Sequence, residues 1–291
     1  MSMPRDIGAI DLMLNIPGED NRHWYEFMKP LFLDEESQRT FEMPAQYMFK
    51  DLPKTAKQDD YIAYTVGEMD RHGIERAMLG VDDDNAVTRE ALERYPSRFF
   101  GSYHANPNRG MSEVRKIERL HRERGIKAVT AFPCGLCPQV PIDDKRWYPI
   151  YAKCVELDIP IACCVGVPGP RLPMAPQRVE LIDEVCWFFP ELTVVMRHGG
   201  LPWVDSCVQM LLRWPNLYYA TTAVAPKYWP GEIVQLIRKR APDKVIFAGY
   251  WPLLSYERVF AELAALDIDD SVLPQLLSGN AVRAFKLEEV V

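Results

Sequence analysis

Eight short apolar runs recur along the chain: IGAIDLML (7–14), RAMLGV (76–81), RFFGSYH (98–104), IKAVTAF (126–132), IPIACCV (159–165), LTVVMRH (192–198), NLYYATT (216–222) and KVIFAG (244–249). They do not alternate apolar with polar residues. A strand with one wet face shows that alternation, whereas a parallel strand covered on both faces is apolar nearly throughout. Segments of helical periodicity lie between the runs. MSEVRKIERLHRERG (111–125) puts Val114, Ile117 and Leu120 on one face and ends at Gly125, a natural C-cap. Eight strands alternating with helices in 291 residues predict an α/β fold, a (β/α)8 TIM barrel. A doubly wound sheet is the alternative. No stretch reads as a linker, so residues 1–291 are expected to form a single domain.

Composition narrows the partners. The hydrophobic fraction is 48%, the charged fraction 26% and the formal net charge −7. An acidic chain without a Lys/Arg block lacks the electrostatic footprint of a nucleic-acid binder. No run approaches the roughly 18 apolar residues of a membrane helix, and Asp6 and Asp11 interrupt the only apolar stretch near the start. The seven cysteines then read as reduced thiols of a cytoplasmic protein.

Two connections are long. Residues 15–57 carry Trp24, Tyr25, Phe27, Phe32, Phe41, Tyr47 and Phe49 with Met28, Met43 and Met48; residues 166–178 follow the fifth run. Both are expected on the C-terminal face, where barrel active sites lie. The aromatic loop is expected to be a lid over the pocket or an interface in a homodimer.

Barrel chemistry comes from strand ends. Read in order, these hold Asp11 to Asn15, Asp82 to Asp84, His104, Phe132, Cys164, His198, Thr221, Thr222, Tyr250 and Trp251. His198 suits general acid/base work near neutral pH. Tyr250 suits a proton donor to an oxyanion. Trp251 suits stacking on a flat substrate. Asp11 suits an orienting carboxylate, and otherwise a buried structural acid. Cys164, beside a histidine, suits a nucleophile and equally a small core residue. Asn15, Met13, His104 and Arg171 are expected to bind substrate. Arg171 and Arg197 could each hold a substrate carboxylate by a fork of donors, but Arg197 is expected to point away from His198, because neighbouring side chains of a strand alternate.

The pieces AIDLMLN, MDRHGIERAMLGV, YPSRFFGSYHANP, YPIYAKCVELDIPIACCVG, FPELTVVMRHGGLPW, VIFAGYWP and LLSGNAVRAFKL, in this order, resemble the landmarks of the amidohydrolase superfamily. The nearest branch is amidohydrolase-2, which includes 2-amino-3-carboxymuconate semialdehyde decarboxylase. The resemblance implies a TIM barrel and a hydrolase or decarboxylase. It also implies a metal site at which this sequence departs from the pattern. The two histidines of the family's first-strand Asp-x-His-x-His are Met13 and Asn15. The strand-five histidine is Cys164, and the strand-eight aspartate is Tyr250. Only His198 keeps its type among the histidine positions.

The expectation is therefore a hydrolase or carboxy-lyase working without metal or other cofactor. Its substrate would be a largely apolar, carboxylated or carbonyl-bearing ring compound. The alternatives are a non-catalytic barrel that binds a ligand or a partner protein, and an unusual metal site at Asp11, Cys164 and His198.

Overall fold

The computed structural model describes residues 7–39, 45–48 and 55–288. Phe41, Met43 and Phe49 of the first long connection lie outside these residues. The strands are β1 (Ala9–Asp11), β2 (Ile74–Gly80), β3 (Phe99–His104), β4 (Ala128–Ala131), β5 (Ile161–Cys164), β6 (Val194–Arg197), β7 (Leu217–Ala220) and β8 (Val245–Ile246). Each pairs in parallel with the next in chain order. A doubly wound sheet would reverse its order at a switch point, and this one does not. The ends of the sheet meet just past β1 and β8, where Leu14 and Trp251 form a parallel bridge. There the Asn15 N–H donates to the Trp251 carbonyl at 3.0 Å. The chain is a TIM barrel.

The two-sided apolarity of the runs has its reason in two cores. Inside the barrel, each strand or its extension contributes to one cluster: Leu12, Met78, Phe100, Ala128, Ala162, Val195, Ala220 and Ile246. Alanine at three of these places keeps the interior narrow enough to fill without a pore. The helix Asn280–Phe285 closes the end opposite the loops. Its Phe285 ring lies 6.1 Å from that of Phe100, and Asn280 Nδ2 donates to the Pro242 and Val245 carbonyls, each at 2.7 Å.

Outside the strands a larger cluster packs the helices onto the sheet. In the helix Met111–Arg124 the predicted face, Val114, Ile117 and Leu120, is buried. Gly125 ends the helix at φ 61°, a left-handed position that glycine takes without steric cost. The Asp60 side chain caps the helix Tyr61–Arg71 by accepting from the Ala63 N–H.

The first long connection is built from a 3-10 segment (Arg22–Leu31), a short helix (Glu35–Arg39) and a turn (Gln46–Met48). Met28 and Phe32 are buried, while Leu33, Tyr47 and Met48 are exposed. No helix among the described residues is long and apolar enough to cross a membrane.

Candidate active site at the barrel mouth

Alternation along a strand sends every second side chain to the same face. Counting two residues on from the interior anchors gives Gly80, Ser102, Thr130, Cys164, Arg197 and Thr222. Most are small, which leaves space at the mouth. Arg197 occupies that space: its charge bears on His104 of β3, on Cys164, its register partner on β5, and on Tyr250 beyond β8.

Arg197 is partly accessible, but its Nε is buried and has no hydrogen-bond partner. No carboxylate among the described residues pairs with it. This corrects the expectation that Arg197 points away. Alternation was counted from His198, yet the interior anchor of the strand is Val195. His198 has left the strand, with φ at 69°, so the rule no longer relates the two side chains.

Tyr250 shares this conformation, with φ at 67°. A non-glycine residue there costs about 1–2 kcal/mol, and such costs concentrate at functional sites. The His198 N–H donates to Thr222 Oγ1 at 2.7 Å, which pins β6 to β7. Burial, and then the neighbouring guanidinium, pushes the His198 imidazole down to about 3. It is a neutral ring at physiological pH. Burial holds the Tyr250 phenol well above its usual range, so it keeps its proton. Tyr25, in the 3-10 segment of the first connection, reaches the Tyr250 phenol, and burial carries Tyr25 itself up to about 12.

A cavity of about 560 Å³ opens beside this group, over the ends of β1 to β4. Asn15, Trp24, Phe27, Asp82, His104 and Arg109 are among its walls. The Phe27 ring lies 5.5 Å from that of His104 and 6.5 Å from that of Phe132. His104 is exposed by area because it faces the cavity, yet protein surrounds it. That burial, followed by the charge of Arg197, pushes it down to about 4 against the pull of Asp82. Thr130 Oγ1 is 3.4 Å from its Nδ1. His104 thus joins the cavity to the Arg197 group.

Other expected site residues stand differently. Asp11 is fully buried, and its carboxylate accepts from the Met13 N–H (2.9 Å), the Gly249 N–H (2.7 Å) and the Tyr256 hydroxyl (2.8 Å). These bonds tie β1 to the chain beyond β8. They engage both carboxylate oxygens, and none of them runs to His198. Burial raises its carboxyl to about 6 while the donors pull it back. Gly249 is required here, since a Cβ would lie 2.7 Å from both Asp11 Oδ2 and Tyr256 Cε1.

Trp251, expected to stack on substrate, stacks instead on Tyr256, with centroids 5.3 Å apart and an interplanar angle of 12°. Arg171, expected to bind substrate, pairs with Asp34 (3.1 Å) and Glu36 (2.7 Å) of the first connection. Cys164 is buried and its thiol is pushed up to about 11, so it is not a thiolate at neutral pH. Met13 packs against both cores.

The donors present do not fit a catalytic metal of the kind the resemblance implies. Such a centre wants about three protein ligands, and among the described residues no three His, Cys, Asp or Glu side chains converge. Asp11 spends its oxygens on the seam, Cys164 holds its proton, and a guanidinium stands where a divalent ion would meet repulsion. Sequence reasoning placed Tyr25 and Phe27 in the aromatic loop without assigning them to this group, and set Arg197 aside as pointing away. The signal for Arg197 was Val195, two residues back on the inner face.

A family model described as Amidohydrolase (Amidohydro_2) matches residues 41–287. Among known proteins, the chain is 26% identical over 133 residues to 2-keto-4-carboxy-3-hexenedioate hydratase of Sphingobium sp., a match covering 40% of the chain and 39% of the hydratase. Among solved structures, it is similar to an uncharacterised TIM-barrel protein from Bordetella bronchiseptica (TM-score 0.72, 23% identity, 96% of this chain and 99% of that one). It is also similar to 5-carboxyvanillate decarboxylase from Novosphingobium aromaticivorans, solved with bound manganese (TM-score 0.67, 16% identity, 99% and 100% covered). A third is 4-oxalomesaconate hydratase from Rhodopseudomonas palustris (TM-score 0.61, 17% identity, 96% of each chain).

Proposed function

Because the chain belongs to the amidohydrolase family, we propose that it is a metal-independent hydrolase or carboxy-lyase. Its substrate would be a largely apolar ring compound bearing a carbonyl or carboxylate. The observation that carries this reading is that the Arg197 charge bears on a neutral His198, on a protonated Tyr250 and on His104, which lines a cavity with aromatic walls. The family's decarboxylases and hydratases supply the class of chemistry.

His198 acts first as a base. It takes a proton from water, the resulting hydroxide adds to a carbonyl carbon, and the Tyr250 hydroxyl donates a hydrogen bond to the developing oxyanion. The proton then passes from His198 to the leaving group. Decarboxylation needs the reverse order, an acid that protonates the carbon losing carbon dioxide. A ring neutral at rest serves the base-first sequence better, so hydrolysis is the preferred reading. The first connection acts as the lid, its Phe27 and Tyr25 keeping bulk water from the reacting atoms.

A panel of lactones, esters, amides and carboxylated aromatics tests the proposal. His198→Ala is expected to lower turnover by about 100- to 10,000-fold with an unchanged thermal melt. Protonation disables the base, so the acidic limb of the wild-type rate profile is expected far below the ordinary histidine value of 6.5, near the site's value of about 3. An acidic limb at 6 to 7, typical of an ordinary histidine, refutes the assignment of His198. A stoichiometric metal found by elemental analysis, with activity lost on chelation, refutes the metal-independent chemistry.

A further inference from the structure

We propose that the guanidinium of Arg197 is a fixed internal cation that takes the place of the family's metal and binds the carboxylate of the substrate. The inference rests on the barrel mouth being the reaction site.

The geometry carries it in three steps. First, Arg197 lies on the inner face of β6, in line with Val195 of the interior core, and its register neighbour on β5 is Cys164. The inner mouth positions of β2 to β4, Gly80, Ser102 and Thr130, are small. Second, the side chain is unmatched. Its Nε is buried without a partner, and no described carboxylate pairs with it.

A structural arginine of a barrel is held by acids or carbonyls, because a buried, unpaired cation is costly. Arg98 donates to the Glu75 and Ile74 carbonyls at 2.8 Å each, Arg213 meets Asp183 at 3.1 Å, and even Arg238, whose Nε is likewise buried without a partner, meets Asp267 at 3.9 Å. The strand-end acid Asp11 has its oxygens engaged across the β1–β8 seam. Third, the groups around Arg197 are uncharged at neutral pH: His104, His198, Cys164 and Tyr250. Arg197 is thus a partly accessible cation set among uncharged groups able to donate or accept hydrogen bonds.

A planar carboxylate matches this site in charge and in shape, since two parallel N–H groups of a guanidinium meet its two oxygens. A metal holds substrate oxygens by the same attraction and adds an activated water. Arg197 supplies the attraction alone, which leaves proton transfer to the imidazole. Bound carboxylate also cancels the charge that Arg197 imposes on its neighbours.

Calorimetric binding of benzoate and of its neutral isostere benzamide tests this without reading turnover, so its failure is separable from failure of the acid–base assignment. Wild type is expected to bind benzoate and to bind benzamide at least about 10-fold more weakly. Arg197→Met is expected to lose about 10- to 100-fold in benzoate affinity, with benzamide unaffected, and Arg197→Lys to fall between. Arg213→Met, which removes a surface ion pair with Asp183, is expected to bind benzoate as wild type does.

Equal affinity for acid and amide in wild type, or binding of neither at millimolar concentration, overturns the proposal. So does unchanged benzoate affinity in a folded Arg197→Met, and so does benzoate binding that requires added manganese or zinc. Tighter binding of inorganic phosphate than of benzoate overturns the carboxylate assignment. Should Arg197→Met fail to fold, the wild-type comparison of acid with amide and Arg197→Lys still decide it.

Discussion

Asp11 separates a structural carboxylate from a catalytic one by what its loss should do. It accepts from two backbone N–H groups and one phenol within a closed seam. Asp11→Ala orphans all three donors, an expected cost of about 3 to 5 kcal/mol. Asp11→Asn keeps one oxygen for the two N–H groups and turns its amide toward the Tyr256 oxygen, which can accept, so about 1 kcal/mol is expected. Urea unfolding measures both; full stability in Asp11→Ala would make Asp11 a reactive acid after all. Its folded pKa, about 6, lies above the ordinary 3.8. The folded state therefore holds a proton that the unfolded state has released. The stability this lends is complete below 3.8 and drains as pH rises through about 6. Wild type should thus lose stability relative to Asp11→Asn across that window, and parallel pH dependence would contradict it. The sequence offered Asp11 as either kind of acid, since a strand-end aspartate looks the same in both roles. What decides is where Gly249 and Tyr256 fall, 238 and 245 residues away.

The strands were legible because burial on both faces leaves an unbroken apolar run, and the Met111–Arg124 helix because its stripe and its glycine stop agree. The same uniformity concealed which face is which. In VVMRH nothing in the letters marks Val195 rather than Met196 as interior, so the direction of Arg197 was lost with it. The first connection was legible only as aromatic. Its contacts are tertiary: Phe27 against His104, and Tyr47 donating to the Gly169 carbonyl at 2.7 Å. Arg171 went to Asp34 and Glu36 for the same reason. If this connection is the lid, Phe27→Ala should speed ligand release several-fold. Stability should change by under about 1 kcal/mol, because half of the ring is exposed. Stopped-flow dissociation of benzoate reads the first and a thermal melt the second; an unaltered off-rate removes Phe27 from the lid.

At the scale of the molecule, the barrel is held shut by unequal means. Seven neighbouring strand pairs share ladders, while the β1–β8 closure has one bridge and the Asp11 carboxylate. Amide exchange is therefore expected to be faster along Ala9–Asp11 than along Val194–Arg197. Comparable protection would mean that the closure is as firm as the ladders. The thiols give a second global reading. All seven cysteines are free and six are buried, with Cys137 exposed. Burial lifts the Cys164 thiol to about 11 and Cys134 to about 12. A disulfide reagent should titrate one thiol rapidly in the native protein and seven in denaturant.

That single open thiol also stands in the wall of the cavity, which it shares with Asn15 and Phe27. Cys137 is thus a reporter already installed. Its alkylation rate becomes a clock for occupancy, slowing as a compound fills the space and recovering as it leaves. A library can be screened for the natural substrate by chemical protection alone, before any product is known.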